Sequence, residues 1–85
     1  MNWQIFIIDR AKKQLAKVPR SDFERINKVI GEMAQDPFAG DLKKLGGTEA
    51  EWRRRVASYR IIFELSTVEH VIFVTDIRHR TSHTY

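Results

Sequence analysis

The amino-acid sequence predicts an α+β fold in the order β-α-α-β-β-β, an antiparallel four-stranded sheet with a helix hairpin packed on one face. Apolar runs rich in β-branched and aromatic residues occur near both ends of the chain. Two stretches with helical spacing follow the first run, and a segment with two-residue alternation, Trp52–Leu65, follows those helices. At 85 residues, the chain is expected to be a single domain, residues 1–85.

The first strand and first helix are predicted from the N-terminal apolar run. Trp3–Ile8 combines β-branched and aromatic residues, which is typical of a strand. Asp9 follows it and is expected to be the N-cap of a helix over Arg10–Val18. That helix should end before Pro19. The apolar residues at helical spacing on its inward face are Ala11, Leu15 and Val18.

A second helix is predicted from a capping box, with Ser21 as N-cap and Glu24 three residues later. It should run to about Gln35, because Asp36-Pro37 stops it. The residues predicted on its apolar face are Phe23, Ile26, Ile30 and Met33. Since the connection between the helices is very short, we expect an antiparallel hairpin.

The remainder of the chain predicts a loop and three strands. Phe38–Glu51 is irregular and punctuated by glycines, so we interpret it as a loop. Trp52–Leu65 should form two adjacent strands that break at Ala57-Ser58. After a turn at Thr67–His70, the uniformly apolar Val71–Ile77 should form an interior strand. The three strands suit an antiparallel meander.

Arginines collect on one face of this predicted meander. Because side chains alternate along a strand, the apolar residues of Tyr59–Leu65 share one face and the arginines lie on the other. Arg54 shares the parity of Trp52 and Val56, so we interpret it as scaffold or as a solvated rim residue rather than as part of the site. The arginines expected to converge are Arg53, Arg55, Arg60, Arg78 and Arg80. Such a surface suits phosphate, although a solvated face or a charge-protected edge strand has the same pattern.

The charge distribution also indicates an anionic partner. The formal net charge is +4, and residues 52–85 contain six arginines, no lysine and three acidic residues. Residues 1–51 are nearly balanced, with nine Lys/Arg and eight acidic residues. Arginine is the planar, forked cation that suits phosphate. Nucleic acid is therefore the first expectation for the partner, and an acidic protein segment is the second.

Several kinds of site are excluded. The chain contains no cysteine, and its histidines and carboxylates lack metal-ligand spacing, so no metal site is expected. No glycine-rich phosphate loop and no convincing Ser-His-Asp arrangement occurs. The apolar runs are too short to span a bilayer, and the N-terminus does not resemble a signal peptide. We expect a cytoplasmic protein that uses no cofactor and no membrane.

Groups that exchange protons near neutral pH would have to come from the C-terminal tail. Arginine stays protonated at any working pH. Histidine titrates near neutrality, and tyrosine titrates near about pH 10 unless a neighbouring cation lowers its pKa. His83 and Tyr85 are therefore the candidates near the arginines. The alternative is that this tail is a frayed terminus without a role.

With these motifs placed, the chain resembles the RelE/ParE superfamily of toxins from bacterial and archaeal type II toxin–antitoxin systems. The resemblance covers nearly the whole chain as one RelE-like domain. It rests on the early strand and helix hairpin and on three motifs: DP…KKLGG in residues 36–47, WRRRVASYRIIFEL in residues 52–65, and DIRHRTSHTY in residues 76–85.

RelE-like members are ribosome-dependent mRNA endonucleases, so the resemblance implies an mRNA interferase that acts on mRNA in the ribosomal A site. The implied reaction needs no metal, because the 2′-hydroxyl of the RNA attacks the adjacent phosphorus. Its products are a 2′,3′-cyclic phosphate and a 5′-hydroxyl. The reaction requires a base, cations for the extra phosphorane charge and an acid for the leaving oxygen. The implied partners are the ribosome, its mRNA and a cognate antitoxin.

The resemblance also implies roles for individual residues. Arg60 and Arg80 match the phosphate-stabilising arginines of the family, while Arg55, like Arg53, stands where relatives often carry catalytic lysines. Arginine cannot exchange protons as a tuned lysine does, which raises the weight of the tail. The implied catalytic residues are Arg55, Arg60, Arg80, His83 and Tyr85. The implied RNA-binding residues are Arg53, Arg78, Lys43 and Lys44.

Two other functions fit the same sequence. A ParE-type toxin would inhibit DNA gyrase without nuclease chemistry, since one fold serves both activities. An inactive antitoxin-binding module would use the arginine face only to receive an acidic antitoxin. The His/Tyr tail is the feature that favours the nuclease over both.

Overall fold

The structure, a computed structural model, describes residues 3–40, 42–44 and 51–79. These residues form seven elements: β1 (Gln4–Ile7), α1 (Asp9–Ala16), α2 (Arg20–Gln35), β2 (Leu42–Lys44), β3 (Glu51–Val56), β4 (Tyr59–Ser66) and β5 (Val71–His79). The α+β class, the two helices and the three C-terminal strands are confirmed. Within the described ranges, neither helix is long and apolar enough to cross a membrane.

The strands of the described residues form one five-stranded sheet in the order β1-β5-β4-β3-β2. The last four strands in the chain pair antiparallel with one another, whereas β1 pairs parallel with β5. The sheet is therefore mixed, with one strand more than the predicted four. The additional strand, β2, lies in the segment interpreted as a loop and is three residues long, too short to show alternation. The parallel pairing of β1 could not be anticipated, because periodicity does not report strand direction.

Helix α1 begins one residue and helix α2 two residues earlier than the sequence predicts, and both have a different N-cap residue. Asp9 is the first residue of α1 and lies in its first turn rather than at the N-cap, where Ile8 stands. The predicted capping box is wrong, because Pro19 occupies the N-cap of α2 and its carbonyl accepts the Phe23 amide at 2.8 Å. The turn that Ser21 was expected to begin has therefore already started.

The hydrophobic core lies between the two helices and one face of the sheet. Both helices supply buried residues at helical spacing, although Phe23 on α2 is 37% exposed, contrary to expectation. Burying a large aliphatic or aromatic side chain stabilises the fold by about 1.5–3 kcal/mol. The large side chains that are almost fully buried in this core are Ile26, Met33, Ile61, Phe63, Ile72 and Val74.

Arg54 belongs to the core side of the sheet, as its parity predicts. Its side chain is buried, Nη1 donates to the Ala39 carbonyl at 2.9 Å, and Nη2 lies 3.5 Å from the Glu32 carboxylate. Gly40 packs against this guanidinium with φ of +86°. A Cβ at Gly40 would overlap the Arg54 side chain, and the backbone angle would be strained for any L residue.

We expect Gly40→Ala to lower the free energy of unfolding by about 1–3 kcal/mol, because it combines left-handed strain with displacement of Arg54. Urea denaturation measures this directly. The matched control is Gly31→Ala in α2, where a Cβ meets nothing within 4 Å. In a helix the same change stabilises by roughly 0.5–1 kcal/mol. Equal effects of the two substitutions would contradict the account of Gly40.

Candidate phosphate-binding surface

The strand register sets Arg55, Arg60 and Arg78 directly opposite one another. Arg55 pairs with Arg60 across β3 and β4, and Arg60 pairs with Arg78 across β4 and β5. Tyr59 and Ile61 flank Arg60 in the chain and are buried in the core. The three arginines therefore lie on the sheet face away from the helices. We call them the arginine row.

Two further cations extend this surface along the strands. Arg53 lies two residues from Arg55, so it shares the face of the arginine row, and Lys43 is its partner on β2. Lys44 lies on the other face, where its Nζ is 5.9 Å from the centroid of the Trp52 ring. Of the two lysines predicted to bind RNA, the fold therefore brings Lys43 to the arginines and places Lys44 elsewhere.

Arg60, at the centre of the row, has a donor without an acceptor in the part of the chain that the structure describes. Its Nε is buried and donates no hydrogen bond to any residue that the structure describes. A buried donor without a partner costs about 1–3 kcal/mol. If the Arg60 side chain turned this Nε towards the surface, an anionic oxygen placed over the row would accept from it and remove that cost.

Asp76 is a buried acid beside the arginine row, and sequence reasoning did not single it out. Only 4% of the residue is exposed. Gln14 of α1 donates from Nε2 to Oδ1 at 2.6 Å, and Arg78 donates from Nε to Oδ2. Arg10 adds a longer ion pair, with Nη2 3.7 Å from Oδ2. The signal was present in the sequence, because a lone acid inside an apolar strand requires buried partners.

These contacts perturb the pKa of Asp76. Burial alone would raise the pKa of this carboxyl. Hydrogen bonds from Gln14 and Arg78, together with the positive charges of Arg78 and Arg10, outweigh burial and lower the pKa below its ordinary value of 3.8. Asp76 is therefore ionised at neutral pH and neutralises part of the charge on the arginine row.

Acidic residues lie at the far end of the same sheet face. Glu51 and Glu64 are cross-strand partners, and Glu64 is four residues from Arg60, or about 13 Å along β4. Within the described ranges, no group of three or more histidine, cysteine or acidic side chains could hold a metal ion. The face is thus cationic at one end and acidic at the other.

No described residue of β3, β4 or β5 places a histidine or tyrosine on the face of the arginine row. Tyr59 and His79 are partners on the opposite face, with ring centroids 4.8 Å apart. Arg80, His83 and Tyr85 lie outside the described residues.

The family model for the ParE toxin of type II toxin–antitoxin systems, parDE, matches residues 5–83. The chain belongs to this family. The resemblance to the RelE/ParE superfamily is thereby confirmed, and this ParE-family protein is a toxin of a toxin–antitoxin system. Among proteins with curated descriptions, none matches the sequence.

Solved structures show the same fold for this ParE-family toxin. The archaeal RelE–RelB complex from Pyrococcus horikoshii OT3 contains a chain that is 23% identical, with a TM-score of 0.86 over 98% of this chain and 100% of that chain. The RelB–RelE complex from Methanococcus jannaschii gives 27% identity and a TM-score of 0.76 over 91% and 92%. The YoeB/ParE toxin from Agrobacterium tumefaciens gives 22% identity and a TM-score of 0.76 over 89% and 96%.

Acid should weaken the fold through Asp76. Because the pKa of Asp76 is lower in the folded protein than in the unfolded chain, its contribution is complete above about pH 4 and is lost as pH falls through the folded pKa. We expect Asp76→Asn to reduce the free energy of unfolding at pH 7 and to shrink the loss between pH 5 and pH 2. Urea denaturation across this range measures both quantities. If the variant loses as much stability between pH 5 and pH 2 as the wild type, the acid sensitivity comes from other carboxylates and not from Asp76.

Proposed function

We propose that this toxin is a RelE-type endoribonuclease that cleaves mRNA in the ribosomal A site. The observation that carries the proposal is the arginine row, with the buried Arg60 donor at its centre and no acceptor for it among the described residues. A phosphodiester places anionic oxygens over such a row. Ribosomes and their mRNA are cytoplasmic, so this activity belongs in the cytoplasm.

In the proposed reaction, the 2′-oxygen forms a bond to phosphorus while the bond from phosphorus to the 5′-oxygen breaks. Negative charge increases on the non-bridging oxygens in the transition state. Guanidinium donors fixed at that position stabilise this state more than the ground state, which is the requirement for catalysis. Arg55, Arg60 and Arg80 are assigned this role.

Two proton transfers complete the reaction. A base takes the proton of the 2′-hydroxyl, and an acid gives a proton to the departing 5′-oxygen. Arginine serves as neither, because it stays protonated. We assign these transfers to His83 and Tyr85 of the C-terminal tail, with Tyr85 also available for stacking on a base.

The flanking cations suit the RNA backbone on either side of the cleaved bond. Arg53 and Lys43 continue the surface from β3 to β2, and Arg78 borders it on β5. We also propose a cognate antitoxin as partner, because the similar RelE structures from Pyrococcus horikoshii and Methanococcus jannaschii are complexes with RelB. An acidic antitoxin segment over the arginine row would exclude RNA by occupying the same positive surface.

We expect Arg60→Ala to lower the rate of mRNA cleavage on ribosomes by roughly 100- to 1,000-fold, the usual effect of removing a transition-state donor. Arg60→Ala combined with Arg80→Ala should abolish cleavage and growth arrest. The measurement is single-turnover cleavage of programmed ribosomes. The matched control is Arg25→Ala, which removes an exposed arginine from α2 and should cleave normally. Undiminished cleavage by the double variant would refute the proposal.

A second function, inhibition of DNA gyrase, is favoured by the family model, whose description is the ParE toxin. In that case the arginine row would bind an acidic protein surface, and the tail would have no chemistry to perform. A supercoiling assay with purified gyrase separates the two functions. Inhibition of supercoiling by a protein that leaves ribosome-bound mRNA intact would establish the ParE-type activity instead.

A further inference from the structure

We propose that Asp76 is a positioning residue that fixes the side chain of Arg78 within the arginine row, and that Gln14 of α1 fixes Asp76 in turn. The inference deepens the proposed function and rests on it. Neither Asp76 nor Gln14 would touch RNA. Both would act through Arg78, which borders the phosphate surface on β5.

The first link is the contact between Asp76 and Arg78. The two residues are separated by one position on β5 and lie on the same face, and Arg78 donates from Nε to Oδ2. The side chain of Arg78 is 61% exposed, so without this bond it would sample many rotamers. Bonding through Nε leaves the two terminal nitrogens, with four N–H groups, available for phosphate oxygens.

The second link anchors the carboxylate to the helix layer. Gln14 uses both ends of its amide: Nε2 donates to Oδ1 of Asp76 at 2.6 Å, and Oε1 accepts the Ile77 amide at 2.7 Å. The Gln14 amide therefore connects the side chain of Asp76 with the backbone of Ile77. Because Asp76 is 4% exposed and Gln14 holds its Oδ1, the carboxylate offers Arg78 a fixed acceptor at Oδ2.

Helix α1 supplies Gln14 because this helix lies along the outer edge of β5. Pairing between β1 and β5 ends at Val74, beyond which the outer edge of β5 needs other partners. Arg10 donates to the Thr75 carbonyl at 3.2 Å, and Gln14 accepts from Ile77. Helix α1 thus replaces the missing strand along this edge. The groups that complete the edge also hold Asp76.

A purely electrostatic role for Asp76 predicts the opposite outcome. Its negative charge lies among the arginines and repels phosphate, so its removal would strengthen RNA binding and leave the chemical step unchanged or faster. Positioning predicts a slower chemical step even if RNA binds more tightly. The two explanations therefore differ in the sign of the effect on the cleavage rate.

The test compares Asp76→Asn with Glu64→Gln in single-turnover cleavage of programmed ribosomes, with toxin concentration varied to separate binding from the maximal rate. Glu64→Gln removes the same charge from the same sheet face. We expect Asp76→Asn to lower the maximal rate by about 10- to 100-fold, because Arg78 would place the RNA backbone beside the cleaved bond and a small misplacement of the reacting phosphate costs this much. Binding should be equal or tighter, because the substitution removes a negative charge from the phosphate surface. Glu64→Gln should keep the wild-type rate. An unchanged maximal rate in Asp76→Asn would overturn the inference.

A second readout is independent of cleavage. In the wild-type protein, the Arg78 Nε–H should give a dispersed NMR signal that exchanges slowly with solvent. In Asp76→Asn and in Gln14→Ala, the same signal should be averaged and should exchange rapidly. A protected signal in Asp76→Asn would overturn the positioning role. If the wild-type toxin cleaves no RNA, the proposed function fails, and this signal still decides whether Asp76 positions Arg78. Melting curves of each variant confirm that measurements are made on folded protein.

Discussion

Three like charges held side by side across three strands are the constraint around which this sheet is built. Adjacent strands lie about 4.8 Å apart. At that spacing two unit charges repel by about 1 kcal/mol in water and by several times more near a protein surface. The opposing contribution comes from the reverse face of the same strands, where Tyr59, Ile61 and Phe63 are buried. A slip of one residue would expose these groups and bury the arginines, so the core fixes the register that aligns the arginine row.

Asp76 shows how a buried charge can be tolerated beside such a row. Removing an acid from water is costly unless it is paired and hydrogen-bonded. Here a neutral amide and two guanidinium groups surround the carboxylate, and they come from α1 and from β5 itself. The helix that covers the core therefore also shapes one border of the candidate site. Stability and site geometry are coupled through the same side chains.

The arginine row defines what any partner must supply. Its donors suit the phosphoryl group in the transition state of phosphodiester cleavage, and they equally suit the carboxylates of an acidic protein segment. Competition between RNA and an acidic antitoxin for one surface would give a direct physical basis for neutralisation. A nuclease additionally needs groups that exchange protons near neutrality, so under the proposed function the tail, rather than the sheet, would distinguish a RelE-type from a ParE-type activity.

The local sequence pattern predicts some features of the candidate site and does not predict others. The alternation in Trp52–Leu65 predicts that Arg53, Arg55 and Arg60 share a face and that Arg54 belongs to the other, because strand geometry alone determines side-chain parity. The same pattern does not predict that Lys43 joins this face while Lys44 leaves it. That depends on β2, a three-residue strand whose pairing gives no local signal.

The sequence by itself determined the fold class, the helices, the strand faces and the family, because each depends on residue types at short, regular spacing. Tertiary structure decided the direction of β1, the presence of β2 and the alignment of Arg55, Arg60 and Arg78 into one row. It also decided the partners of Asp76, since Gln14 is 62 residues away in the chain. Local periodicity contains no information about such distant pairs, and only the packing of α1 against the edge of β5 brings them together.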